Sequence, residues 1–144
     1  VHGLQPGEWL NDELIQHFAA LVSEEDDRLS SSEPSRKRSH IFSTLFCSKL
    51  MEEGMVQGAC SYEAVRSWTK NVDVFECDKS LIPINTDKVH WIAALVSMAD
   101  EQVQLYDPLP SANSDGRLCF DQILHRLQDE HLNKKGRELP DASS

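Results

Sequence analysis

LIPINTDKVHWIAALVSMADEQVQLYDPL, residues 81–109, is the stretch whose reading decides the fold. Leu81, Ile82 and Ile84 are apolar and partly β-branched, His90 to Met98 is an almost unbroken apolar run, and Val103 and Leu105 alternate with Gln102, Gln104 and Tyr106. That patterning predicts three short strands. Ala99, Asp100 and Glu101 form the polar break between the second and third, which therefore read as a hairpin. In a hairpin the residue opening one strand lies beside the residue closing the other, so His90 and Asp107 should meet at one end of the sheet. An imidazole beside a carboxylate is the base-and-orienter half of a catalytic triad. Strand-end His and Asp residues also serve as loop caps or simply sit in solvent, and spacing alone does not choose between these roles.

The rest of the chain bounds the possibilities. Its 144 residues suit one domain, which can bury roughly two-thirds of its unfolded surface without disulfides or metals. The balance of 14 basic against 24 acidic residues gives a net charge of −10, which argues against a nucleic-acid surface. The basic cluster Arg36-Lys37-Arg38 sits among serines and reads as a solvated loop, with a short nuclear-import patch as the alternative. Cys47, Cys60, Cys77 and Cys119 are scattered without a CxxC pair, as expected of reduced thiols in the nucleus or cytoplasm. No apolar run approaches the roughly 18 residues of a membrane span, and residues 1–20 lack the layout of a signal peptide. Val1 in place of Met suggests an excised piece of a longer protein.

In chain order, Asn11 or Asp12 can cap a helix carrying Leu14, Ile15, Phe18, Leu21 and Val22 at helical spacing, with Trp9 before it as a possible hydrophobic staple. Residues 23–40 are charged, Ser-rich and aperiodic, and read as a mobile surface loop. A second helix is expected from Phe42, capped by Ser43, with Leu45, Phe46, Lys49 and Leu50 on one face; residues 55–59 read as a loop. Ser61 can cap a third helix, Tyr62 to Lys70, with Val65, Trp68 and Thr69 on its apolar face, followed by an extended piece at Val72, Val74 and Phe75. After turn-forming residues 108–116 comes a last helix with a stripe of Leu118, Phe120, Ile123, Leu124, Leu127 and His131, leaving His125 and His131 at the surface. Residues 133–144 read as a polar tail. The sum is an α+β domain: helices first, then a small mixed or antiparallel sheet covered by a final helix.

Three motifs stand in one order: Trp9-Leu10-Asn11-Asp12, then VRSWTKNVDVFECD at residues 65–78, then IPIN, HW and YD within residues 82–107. Together they resemble the ubiquitin-like-protein-specific cysteine proteases, the Ulp/SENP family, over nearly all of the chain. The resemblance implies a papain-like fold and cleavage after the C-terminal Gly-Gly of a ubiquitin-like modifier, SUMO foremost, as precursor or as lysine conjugate. It implies His90 as general base and then acid, Asp107 as its orienter, and Trp9 with Trp91 as the roof of a narrow channel. Two glycines carry no side chain, so a slot under flat aromatics admits them and excludes any residue with a Cβ. Asp12 matches the family position that pairs with a basic residue of the modifier, though a first-turn carboxylate on a helix dipole accounts for it equally. Arg66 and Trp68 match the substrate-facing segment; a solvated cation and a buried indole are the alternative. The implied partners are a ubiquitin-like protein and its conjugates, met by a monomer, with no nucleic acid, membrane, metal or cofactor.

A cysteine protease also needs a thiolate against the imidazole and donors aimed at the developing oxyanion. In the family these come from a DCG motif with a Gln shortly before it, and no cysteine of this chain is followed by Gly. Cys119, expected in the first turn of the last helix, is the nearest substitute, and the dipole there is too weak to make it a nucleophile. The chain therefore reads as the amino-terminal part of a catalytic domain, inactive alone, with the nucleophile beyond residue 144. Two other readings stay open: a protease for a Nedd-type modifier, and a non-catalytic module that binds a ubiquitin-like protein.

Overall fold

The computed structural model describes residues 4–49, 69–86, 88, 90–100, 102–109 and 114–136. Its centre is a four-stranded sheet in the order β1 (His40–Ile41), β2 (Lys79–Thr86), β3 (His90–Ser97), β4 (Gln102–Tyr106). β1 runs parallel to β2, and the other two pairings are antiparallel, so the expected hairpin forms and the sheet is mixed. Cross-strand neighbours make the core: Ile82 faces Ala94, Ile84 faces Ile92 and Ser80 faces Val96, all nearly inaccessible. Pro83 stands inside β2, but β1 ends opposite Leu81, so that side of β2 is open and the missing N–H costs no ladder bond there.

Helix α1 (Asp12–Ser32) starts where the sequence puts it: the Asn11 side chain accepts the Leu14 N–H at 2.9 Å, and Asp12 and Glu13 occupy the first turn. Its burial departs from expectation. Ala19 and Asp26 are the buried residues, while Phe18, Leu21 and Val22 are 68%, 52% and 40% exposed. Residues 23–32, expected in a loop, continue this helix, with Arg28 reaching back one turn to Glu25. A Ser-rich composition disfavours helix only weakly, so a capped helix can run through it. Residues 33–39 are irregular and exposed, yet pinned, because the buried Asp26 carboxylate accepts the Ser39 N–H at 2.8 Å and Arg36 Nη2 at 2.6 Å.

Residues 45–49 are helical, with Ser43 Oγ accepting the Leu45 N–H at 3.3 Å; Phe46 and Cys47 enter the core and Leu45 faces out. Residue 50, the loop at 55–59 and the third helix up to Trp68 lie outside the described residues. Thr69 is buried as expected, and Val74 is buried from a turn where an extended piece was expected.

Helix α2 (Ser114–Lys135) covers the sheet, and its core face is Cys119, Ile123, Arg126, Leu127 and His131. His131 is therefore buried, contrary to the sequence reading: its ring meets Phe75 edge-on at 4.8 Å, and an aromatic imidazole can close an apolar stripe as a flat side chain. His125 is exposed as expected. Because the helix opens at Ser114, Cys119 sits in its second turn, and the expected polar tail is helical as far as Lys135. Gly136, with φ 67°, then ends it by returning its N–H to the Leu132 carbonyl.

The cysteines are not all free thiols. Cys47 and Cys119, both buried, are paired as a disulfide that ties residues 45–49 to α2 across 72 positions, while Cys77 is a buried free thiol. Two small side chains brought together by core packing carry no spacing signal in sequence, hence the misreading. Among the described residues no helix is long and apolar enough to cross a membrane.

Candidate active site

The site forms where β3 begins. Thr86 pairs with His90 across the turn that joins β2 to β3, and Thr86 Oγ1 donates to the His90 carbonyl at 3.3 Å. Lys88, inside that turn, takes φ 62°, the left-handed region that a non-glycine residue occupies only when its surroundings demand it. The β3–β4 ladder ends at Ala93 opposite Tyr106, so one further step sets Asp107 opposite Ile92, two residues from His90 on the same face. That is a diagonal neighbour, within reach of an imidazole.

His90 Nε2 and Asp107 Oδ1 lie 2.6 Å apart, with the two side chains only 14% and 18% exposed. The Leu109 N–H donates to the same Oδ1 at 3.0 Å across Pro108, so the carboxylate is held by its own turn as well as by the ring. The His90 hydrogen bond, helped by the Leu109 N–H against the opposing effect of desolvation, holds the Asp107 carboxyl below its ordinary range. An ionised Asp107 that occupies Nε2 leaves Nδ1 as the ring atom free to take up and return a proton.

Trp91 follows His90, and its indole N–H donates to the Leu10 carbonyl at 2.8 Å, joining residues 81 positions apart. The four residues of the entry motif thus have separate tasks. Trp9 is 63% exposed, the Leu10 backbone holds Trp91, Asn11 caps α1, and Asp12 is exposed in the first helical turn. The structure brings together His90, Asp107, Trp91 and the Leu10 backbone; Arg66 and Trp68 lie outside the described residues. Sequence reasoning did not single out Thr86, Lys88, the Leu10 carbonyl or the Leu109 N–H. Three of these act through backbone geometry or backbone atoms, which residue type does not encode.

The described cysteines are engaged elsewhere: Cys47 with Cys119 in the core, and Cys77 buried with its Sγ 3.6 Å from the Asp73 carbonyl. Among the described residues no cluster of His, Cys, Asp and Glu could hold a metal ion.

Residues 8–144 match the family model for the Ulp1 protease family, C-terminal catalytic domain. Human sentrin-specific protease 2 is 33% identical over 131 residues, which are 91% of this chain and 20% of that protein. A solved de-sumoylating protease superposes with a TM-score of 0.70 at 25% identity, covering 92% of this chain and 50% of that one. The Ulp1 protease domain solved in complex with Smt3, the yeast ortholog of SUMO, superposes at 0.68 and 23% identity over 91% of this chain and 53% of that one. The chain spans about half the length of these solved domains and a fifth of the human relative. With its entry motif pinned to β3, its His–Asp pair joined at the end of the hairpin, and the family model matched almost end to end, the chain belongs to the Ulp1 family of cysteine proteases.

Proposed function

We propose that this chain supplies the base, the orienting carboxylate and the tail clamp of a cysteine protease that cleaves after the C-terminal Gly-Gly of a ubiquitin-like modifier, SUMO foremost. The observation that carries the reading is the 2.6 Å contact between His90 Nε2 and Asp107 Oδ1. It fixes the tautomer and leaves Nδ1 for chemistry. In this reading His90 Nδ1 takes the proton of a cysteine thiol, the thiolate attacks the carbonyl carbon of the terminal glycine, and the imidazolium returns the proton to the departing amine. Water, deprotonated by the same nitrogen, then hydrolyses the thioester. The thiol and the oxyanion donors come from sequence beyond residue 144, so the 144 residues alone are inactive.

Trp91, its ring steadied by the Leu10 carbonyl, and the exposed Trp9 form the roof that admits two glycines and no larger residue. Asp12, exposed beside them, pairs with a basic residue of the modifier, and Arg66 and Trp68 extend the contact. SUMO is preferred over a Nedd-type modifier because the relatives are named for sentrin and SUMO. Such a substrate places the protein in the nucleus or cytoplasm. An oriented imidazole has no use in a pure binding module, so the catalytic reading is favoured over that alternative.

The test is turnover of SUMO and Nedd-type substrates carrying a fluorogenic group after Gly-Gly, by the parent protein. His90→Ala is expected to lower kcat by about a thousandfold or more, and Asp107→Asn by less, since asparagine keeps the Leu109 contact but not the charge. Unchanged turnover in either variant removes the triad assignment, and faster cleavage of the Nedd-type substrate removes the SUMO preference.

A further inference from the structure

Far from the site, at the opposite end of β2, residues 33–39 form an exposed strap joining α1 to β1. Its sequence is Glu33-Pro34-Ser35-Arg36-Lys37-Arg38-Ser39, the densest run of positive charge in a chain of net charge −10. The run sits immediately before a serine that is exposed and free of regular structure. Beneath the strap lies one buried anion. Asp26, 8% exposed, accepts the Ser39 N–H through Oδ2 and Arg36 through Oδ1. Arg38 reaches Asp27 at 3.4 Å, and its carbonyl accepts the Asp78 N–H at 2.8 Å, so the strap is anchored on both sides.

We propose that Ser39 is a phosphorylation site for a kinase that selects basic residues, and that Asp26 gates it. Three cations directly before an acceptor hydroxyl suit a substrate groove lined by carboxylates, and among the serines of the strap only Ser39 follows them; Ser35 precedes them. In the transfer, Ser39 Oγ forms a bond to the γ-phosphorus of a nucleoside triphosphate as the bond from that phosphorus to the β,γ-bridging oxygen breaks. The hydroxyl proton passes to the kinase base, and the nucleoside diphosphate leaves. Arg36 cannot serve Asp26 and the kinase groove together, so the strap must lift before it is recognised. Once attached, the phosphate brings a charge of about −1.5 to −2 beside the Asp26 carboxylate and offers three acceptor oxygens to Arg36 and Arg38. Repulsion and competition then act in one direction: Asp26 loses Arg36 and the Ser39 N–H, and the strap stays released.

This inference is independent of the proposed protease function, and its test uses the 144-residue chain with magnesium ATP and the catalytic subunit of cAMP-dependent protein kinase as the probe. Mass spectrometry is expected to find one phosphate per chain, on Ser39, absent in Ser39→Ala. Lys37→Ala, which leaves Asp26 and its partners intact, should slow incorporation several-fold. Asp26→Asn should accelerate it about fivefold, the factor expected for weakening one hydrogen bond that holds the strap. Hydrogen exchange at the Ser39 amide should quicken on phosphorylation. Phosphate on Ser35 or elsewhere in place of Ser39, or no incorporation, overturns the site; an unchanged rate in Asp26→Asn overturns the gate.

Discussion

Substituting Ile123 by alanine tests how α2 is seated on the sheet. Ile123 is 1% exposed and lies among Phe42, Phe46, Val74, Ile82 and Leu127, beside an existing cavity of about 10 Å³. These neighbours belong to the sheet, the helical residues 45–49, the preceding turn and α2 itself, so no single shift can close the space left by the lost side chain. The cost should fall in the upper half of the range for such truncations, about 4 kcal/mol. For a chain of this length that lowers Tm by about 15 °C, a large share of a total stability of about 7–20 kcal/mol. Leu118, which the sequence placed on the same apolar stripe, is 47% exposed, and Leu118→Ala should cost no more than about 0.5 kcal/mol. Urea unfolding of the two variants beside the parent chain, followed by far-UV circular dichroism, reads both numbers from midpoints at constant slope. Equal losses in the two variants, or a loss under about 1 kcal/mol for Ile123→Ala, would refute the rotation of α2 described above.

Other outcomes follow from the same structure. Trp91→Phe keeps a flat ring but gives up the hydrogen bond to the Leu10 carbonyl, so the parent protein should show KM raised several-fold on a Gly-Gly substrate with kcat little changed; an equal fall in kcat would mean that the indole acts on the chemistry. Opening the Cys47–Cys119 bond frees a loop of 72 residues and should lower stability by about 4 kcal/mol on chain-entropy grounds, seen as a lower urea midpoint in reducing agent, and absent in Cys47→Ala. Burial holds His40 below its ordinary value of 6.5, so the unfolded chain binds the extra proton and stability should begin to fall as pH drops below about 6.5. A second loss should come as pH falls below about 3.8, where Asp107, held low by His90, and Asp26, held low by Ser39 and Arg36 despite its desolvation, are forced to accept protons; a flat profile from pH 7 to 3 would contradict both.

The hairpin was legible because a half-buried strand alternates and a turn is polar, and both signals are local. From them came the pairing of His90 with Asp107, correct to within the diagonal offset of two residues that the β3–β4 register introduces. The start of α1 was legible for the same reason, since a cap is a contact between residues three apart. Facing was not. Phe18, Leu21 and Val22 share a side of α1 by periodicity, but periodicity records which residues lie together, not whether anything covers them. In α2 the same limit appears as a rotation: Arg126 and His131 sit on the buried face, Arg126 Nη2 lying 3.4 Å from Thr69 Oγ1, while the apolar Leu118 is left outside. Residues 23–32 were hidden by composition, because a helix that runs on through serine and acidic residues is held by its cap and by Asp26, and neither is visible in a window of ten residues.

The candidate site draws on four parts of the chain, and each supplies a different constraint. The ladder fixes the His90 backbone through Thr86, the turn after β4 fixes Asp107 through Leu109, and the segment before α1 fixes Trp91 through Leu10. Two of these three constraints use main-chain atoms as donor or acceptor against the side chain they hold, and the third ties a side chain to the His90 carbonyl. The side chains that face a substrate are thereby released from structural duty: Trp9 is exposed, and His90 keeps Nδ1 unengaged by Asp107. Positioning by backbone also explains why the WLND segment reads as one motif although its residues do four things. Asn11 sets where α1 begins, the start of α1 sets where the Leu10 carbonyl points, and that carbonyl sets the indole beside the base. Loosening the cap should therefore disturb the clamp before it disturbs the His90–Asp107 pair, which the hairpin holds independently.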